Sequence, residues 1–139
     1  MISAKSRIKM RAAMQKQTIS TDAAPPAIGP YSQAVRAGQF VFVSGQIPID
    51  ERGELVAGGI EQQTQRVMQN LSAILQASGA AFDQVVKTTI YLTDLRDFAA
   101  VNTVYASYFP SAPPARATVQ VAALPKGAQV EIDALAWVA

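Results

Sequence analysis

Proline placement constrains the fold of this chain more than any other feature of its sequence. Asp22-Ala-Ala-Pro-Pro-Ala-Ile-Gly-Pro-Tyr31 carries three prolines and a glycine. Proline fixes φ and has no N–H to donate, so this segment can be neither helix nor central strand. It reads as a rigid loop rather than a flexible linker. Pro48 closes Gly45-Gln46-Ile47-Pro48, Pro110, Pro113 and Pro114 end whatever precedes them, and Pro125-Lys126-Gly127 reads as a turn.

The segments between these stops carry the regular structure. Residues 17–21 are short and β-prone. Residues 32–37 read as a strand, 37–39 as a turn, and 40–44 (FVFVS) as a buried strand. Residues 60–78 predict an amphipathic helix whose stripe is Ile60, Val67, Leu71, Ile74 and Leu75. Gly79 is placed to end it in a left-handed conformation. Residues 84–93 (QVVKTTIYLT) read as a β-branched strand. Residues 97–109 read as a second helix with the stripe Phe98, Val101, Tyr105 and Tyr108. Residues 116–123 and 129–138 read as two more strands, joined as a hairpin through Pro125-Lys126-Gly127.

This order predicts an α+β domain with two helices packed on one face of a mixed sheet. With 139 residues, half of them apolar and 16% charged, the chain suits one domain. Too few elements remain to cover the second face of the sheet, so we expect burial against other copies of the chain.

The formal charge of +2 is unevenly placed. Lys5, Arg7, Lys9, Arg11 and Lys16 precede the first acid, Asp22. Without the four cations of residues 1–13, eight basic residues face ten acidic ones and the body is −2. Residues 1–15 read as a leader and 16–139 as a single domain. The leader has no apolar run for a membrane span or secretory signal. It weakly resembles an organelle transit peptide, but a start codon assigned too far upstream of Met10 or Met14 is the preferred explanation, with a cytoplasmic protein. Four spread cations without aromatics make a poor nucleic-acid arm.

The chain contains no histidine and no cysteine. That excludes Cys/His zinc sites, disulfides, thiol nucleophiles and every histidine-based acid–base mechanism. Proton carriers must be carboxylates, tyrosine, lysine or water. Alternation along 116–121 sets Ala117, Val119 and Val121 against Arg116, Thr118 and Gln120. If the apolar set faces the helices, Arg116 lies on the face covered by another subunit. There it needs an anion: a carboxylate of the protein, or that of a bound molecule. Glu131 and Asp133 alternate with Val130, Ile132 and Ala134. The hairpin would put Glu131 near Gln120 or Val121, unless these are only solvated acids. Tyr31 is a packing anchor or a hydroxyl aimed by a rigid loop. Ser44-Gly45 is a turn or bulge, or a place for close ligand approach. Asn102 reads by default as an exposed position, and Lys87, mid-strand, as an edge or snorkelling lysine rather than a buried amine.

In order along the chain, Ala27-Ile-Gly-Pro-Tyr-Ser-Gln-Ala-Val35, Phe42-Val-Ser-Gly-Gln-Ile-Pro48, Gln63-Thr64, Asn70-Leu71, Val86-Lys-Thr-Thr89, Phe98-Ala-Ala-Val-Asn102, Tyr108-Phe-Pro110, Pro114-Ala-Arg-Ala-Thr-Val119, Leu124-Pro-Lys126 and Val130-Glu-Ile132 resemble the RidA family of enamine/imine deaminases. The resemblance spans about residues 16–138. It implies a chorismate-mutase-like fold, a homotrimer with sites between subunits, and no metal or cofactor. The substrates it implies are 2-aminoacrylate, 2-aminocrotonate and their imines, converted to 2-ketoacids and ammonia. By the same resemblance Arg116 holds the substrate carboxylate, Glu131 handles the attacking water and Tyr31 stands at the cleft. Ser44, Gly45, Asn102 and Thr118 line it, Thr118 standing where many members have cysteine. A ligand-binding module without turnover is the alternative. RNA cleavage ranks last, because the acidic body and missing histidine leave it neither footprint nor acid–base pair.

Overall fold

A computed structural model describes the backbone of all 139 residues and the side chains of all but residues 12–14. Helix α1 (Ala4–Met14), which the sequence left unassigned, precedes strands β1 (Gln17–Ile19), β2 (Ala34–Ala37) and β3 (Phe40–Gln46). Then follow α2 (Ile60–Ala77), β4 (Val85–Leu92), α3 (Phe98–Ala106), β5 (Ala115–Gln120) and β6 (Val130–Trp137). The strands form one six-stranded sheet in the order β1-β2-β3-β6-β4-β5.

Helix α2 forms for the reasons its pattern suggests. The backbone N–H of Gly59 donates to Gln62 Oε1 at its start, and Gly79 has φ +78 just past its end. Val67, Leu71, Ile74 and Leu75, joined by Met68, are essentially fully buried against Val41, Val43, Ile90, Leu92, Val130 and Ile132 of the sheet. Each such side chain contributes about 1.5–3 kcal/mol through removal from water. Helix α3 adds Val101 and Tyr105 to the same layer.

Two expectations are corrected. The last two strands are not a hairpin: β5 pairs in parallel with β4, and β6 lies between β3 and β4, antiparallel to both. The physical reason is burial. Val130, Ile132, Ala134 and Ala136 are all core residues, so β6 belongs in the centre of the sheet, flanked on both sides. Strand β5 carries Arg116, Thr118 and Gln120 and has few buried positions, so it suits an edge. Helix α3 supplies the crossover that a parallel β4–β5 pair requires. Likewise β3 is only half buried: Val41 and Val43 face the helices, while Phe40 and Phe42 are exposed. With Val119 and Trp137, these exposed side chains leave an apolar surface on the sheet face away from the helices.

Candidate active site

Register decides which residues share a face. On β4, Thr88, Ile90 and Leu92 are buried beneath the helices. Their partners on β5 are Arg116, Thr118 and Gln120. Arg116 therefore lies on the helix face, opposite to the sequence reading, and its contacts agree. Its Nη1 donates to Asn102 Oδ1 of α3 at 2.8 Å, and its guanidinium carbon lies over the rings of Phe98 and Tyr105. An alternation rule that sends the apolar set inward fails here because β5 is an edge, and its facing is dictated by pairing with β4.

The Arg116 guanidinium meets no carboxylate among the described residues, whose ion pairs are Arg66–Glu51 and Arg96–Asp94. The intrachain ion pair that pattern alone favoured is absent there. The cation is held by a neutral amide and two aromatic faces. Beside it on β5, the hydroxyl oxygen of Thr118 is buried without a hydrogen-bond partner, a costly state unless something fills it. Arg116, Asn102 and Thr118 thus form one cluster at the sheet edge, with an unpaired positive charge and an unpaired hydroxyl.

A second cluster lies elsewhere. Tyr31, Gly45, Lys126 and Glu131 line one cleft of about 450 Å³ together with Pro25, Ile28 and Ile47. Glu131 alternates with the buried Val130 and Ile132, so it projects from the face opposite Arg116. Its neighbour on β4 is Tyr91, which pairs in turn with Val119. The expected proximity to Gln120 or Val121 is replaced by this arrangement, with β4 intervening. Burial, reinforced by the nearby Asp133 carboxylate, raises the Glu131 pKa above its ordinary value. Asp133 itself accepts from the Thr89 N–H and the Tyr91 hydroxyl.

Gly45 explains how Glu131 fits. The β3–β6 register shifts between Val43 and Gln46, and a Cβ on Gly45 would come within 2.5 Å of Glu131 Oε2. Any other residue there would displace the carboxylate. Ser44 Oγ donates to the Ser32 carbonyl at 2.6 Å, tying the bulge to the end of the proline loop. Tyr31 is half exposed, and its hydroxyl accepts from the Ile28 N–H. It is therefore presented at the cleft rather than packed in the core.

Several supporting residues escaped the sequence reading. Gln33 is buried. Its Nε2 donates to the carbonyls of Thr21 and Pro25, and its Oε1 accepts from the Thr21 N–H, so one side chain fixes the proline loop. Asn70 donates to the carbonyls of Ile47 and Ile49, and Gln63 Oε1 accepts from the Gln129 N–H beside β6. Their signal was available: Gln63, Val67, Asn70 and Ile74 share one helical stripe, and a polar residue on an apolar stripe marks a loop to be satisfied. Lys126 holds φ +59, and its Nζ donates to the Gly53 carbonyl at 2.6 Å. Lys87 is exposed, so it is not a buried amine, but β4 lies between β6 and β5 and is not an edge strand.

The chain thus carries an arginine without a carboxylate partner among the described residues on one sheet face, and a raised-pKa glutamate in a cleft on the other. Comparison with known proteins makes this specific. Residues 21–138 match the family model described as Endoribonuclease L-PSP. The chain is 60% identical over 126 residues to Protein DfrA of Myxococcus xanthus, covering 88% of this chain and 96% of that protein. It is 50% identical over 122 residues to the human 2-iminobutanoate/2-iminopropanoate deaminase, covering 87% and 89% respectively. The crystal structure of Escherichia coli TdcF with bound serine superposes with a TM-score of 0.84 at 42% identity, covering 88% of this chain and 99% of that one. The chain belongs to the RidA, or Endoribonuclease L-PSP, family.

Proposed function

We propose that this protein is a hydrolytic deaminase of small 2-imino and 2-enamine acids, 2-iminopropanoate and 2-iminobutanoate among them. It works as a homotrimer whose sites lie between subunits. In this reading Arg116, Asn102 and Thr118 of one chain face Tyr31, Ser44, Gly45 and Glu131 of the next. The observation that carries the reading is that no carboxylate among the described residues of the chain meets Arg116, combined with Glu131 on the opposite sheet face. One chain cannot bring the two together, and its exposed apolar sheet face supplies a reason to associate.

The chemistry follows from the groups present. The substrate carboxylate docks edge-on to the Arg116 guanidinium, which fixes the imine carbon relative to water. Glu131, ionised, accepts a proton from that water as its oxygen bonds to the imine carbon. The imine nitrogen receives that proton from Glu131 as the C=N π bond opens. The resulting carbinolamine loses ammonia, its hydroxyl proton leaves, and the 2-ketoacid remains. An enamine first takes a proton at carbon and gives one up from nitrogen, becoming the isomeric imine. The imine carbon is already electrophilic, so this route calls for no metal or cofactor. Burial that raises the Glu131 pKa makes it a stronger base once ionised, bringing it nearer the working pH.

The reading includes a leader of residues 1–15 ahead of a domain of 16–139 in a cytoplasmic protein. Among the described residues no helix is long and apolar enough to cross a membrane. Mass spectrometry of the native N-terminus tests the leader. For the activity, an amino-acid oxidase generates the imine in situ and ketoacid release is followed. Wild type well above the spontaneous rate, with Arg116→Ala at that rate, is expected. Binding of 2-oxobutanoate without turnover would move the protein to the ligand-binding reading.

A further inference from the structure

Phe98, Asn102 and Tyr105 stand at i, i+4 and i+7 on α3, so they share one stripe of that helix. All three meet Arg116. Its guanidinium carbon is 5.0 Å from the Tyr105 ring centroid and 5.5 Å from that of Phe98, and Asn102 takes one N–H. Tyr105 is also buried, and its hydroxyl shares a 2.7 Å hydrogen bond with Thr88 Oγ1. Thr88 is the residue that pairs with Arg116 across β4 and β5. The ring that underlies the guanidinium is thereby pinned at its far end to the strand row that carries the arginine.

Read as core, Tyr105 would need no such arrangement. Its hydroxyl is engaged by Thr88, and burial raises its pKa, so it is not a proton carrier for the reaction. We propose that Tyr105, assisted by Phe98, is a positioning residue: the two rings occupy the face of the Arg116 guanidinium and leave its N–H edge as the approach for a carboxylate. The proposal rests on the reading of Arg116 as the carboxylate-binding residue. An arginine on a flexible stem loses rotamer freedom when it binds, and a guanidinium already laid on two rings loses less. Rings against its face also displace water that would compete for the charge. The consequence falls on ligand affinity more than on turnover.

The experiment compares Phe98→Leu, Tyr105→Leu and Tyr105→Phe with wild type and Arg116→Ala. Three readouts are used: KM and kcat for the in-situ imine, the Kd of 2-oxobutanoate, and the NMR resonance of the Arg116 Nε–H. That resonance is assigned by its loss in Arg116→Ala. Each leucine variant is expected to raise KM and Kd about 2- to 5-fold, the range of an exposed cation–π contact, with kcat within about 2-fold. Tyr105→Phe keeps the ring and restores most of the affinity. The Nε–H signal is shifted upfield by ring currents in wild type and moves back in the leucine variants. Phe98 is partly exposed, so its variant keeps the test open if Tyr105→Leu unfolds. Unchanged KM, Kd and Nε–H shift in Phe98→Leu overturn the proposal while the deaminase reading stands on a dead Arg116→Ala. A wild type no faster than Arg116→Ala, both at the spontaneous rate, sinks the deaminase reading instead, and Kd with the Nε–H shift still decides whether the rings position the arginine.

Discussion

The Arg116 edge and the Glu131 cleft hold opposite charges by opposite means. Arg116 is exposed, and neutral groups orient it without neutralising it. Glu131 is half-buried beside a second carboxylate, and its environment opposes its charge. The first arrangement keeps a cation ready for an anion. The second raises a carboxylate's pKa at a cost to the fold. On the proposed reading, the contrast makes the two clusters halves of one site, carried on opposite faces of a sheet and joined only between chains.

The largest expected effect that could break this comparison comes from Glu131. Glu131→Gln should lower kcat about 10²- to 10⁴-fold, the usual worth of a positioned acid–base group, with substrate affinity nearly kept. If kcat falls less than 10-fold, the carboxylate is not the base. Gly45→Ala should be next. Its Cβ displaces the end of a flexible glutamate rather than backbone, so the melting temperature should hold while kcat drops by up to about 10²-fold. Arg116→Lys keeps the charge but loses the planar fork. A KM about 10-fold higher is expected, consistent with weakening one charged hydrogen bond by roughly 1.5 kcal/mol.

The smallest effects concern stability and pH. Glu131 is raised above 4.5 in the folded chain, so the folded state holds a proton longer than the unfolded one as pH rises. Below 4.5 both states are protonated and the residue costs nothing. Across the window between 4.5 and the raised value stability is lost, and above it the loss is complete. Thermal melts should therefore show Glu131→Gln more stable than wild type at neutral pH, with the gap closing at acid pH. For the same reason, the acid limb of the kcat profile should lie above the ordinary glutamate range. Asp133→Asn, which removes the neighbouring charge, should move that limb to lower pH. A limb that stays put would exclude Asp133 as its cause.

Local pattern carried the helices well, because α2 and α3 depend on periodicity and end signals that lie within each segment. Gly79 is a clear case: its position predicted the left-handed φ that the fold adopts. Pairing was less legible. Whether residues 130–137 pair with 115–120 or insert between β3 and β4 is settled by which strands flank β6, a non-local property. The face of Arg116 followed the same error, since an edge strand takes its orientation from its neighbour. Among site residues, Tyr31, Gly45 and Glu131 share the cleft, and Asn102 and Thr118 gather around Arg116. Gln33 was missed because nothing local distinguishes it, whereas Asn70 and Gln63 interrupt an apolar stripe and were readable in principle.

The central claim is that a complete site needs Arg116 from one chain and Glu131 from another, and subunit mixing tests it most directly. Arg116→Ala and Glu131→Ala should each be inactive alone. Unfolded together and refolded as mixed trimers, they should regain activity, because random assembly gives about a quarter of the interfaces one intact Arg116 side and one intact Glu131 side. Mixed trimers that form yet stay at the level of the separate variants would contradict the account and put both residues to work within a single chain.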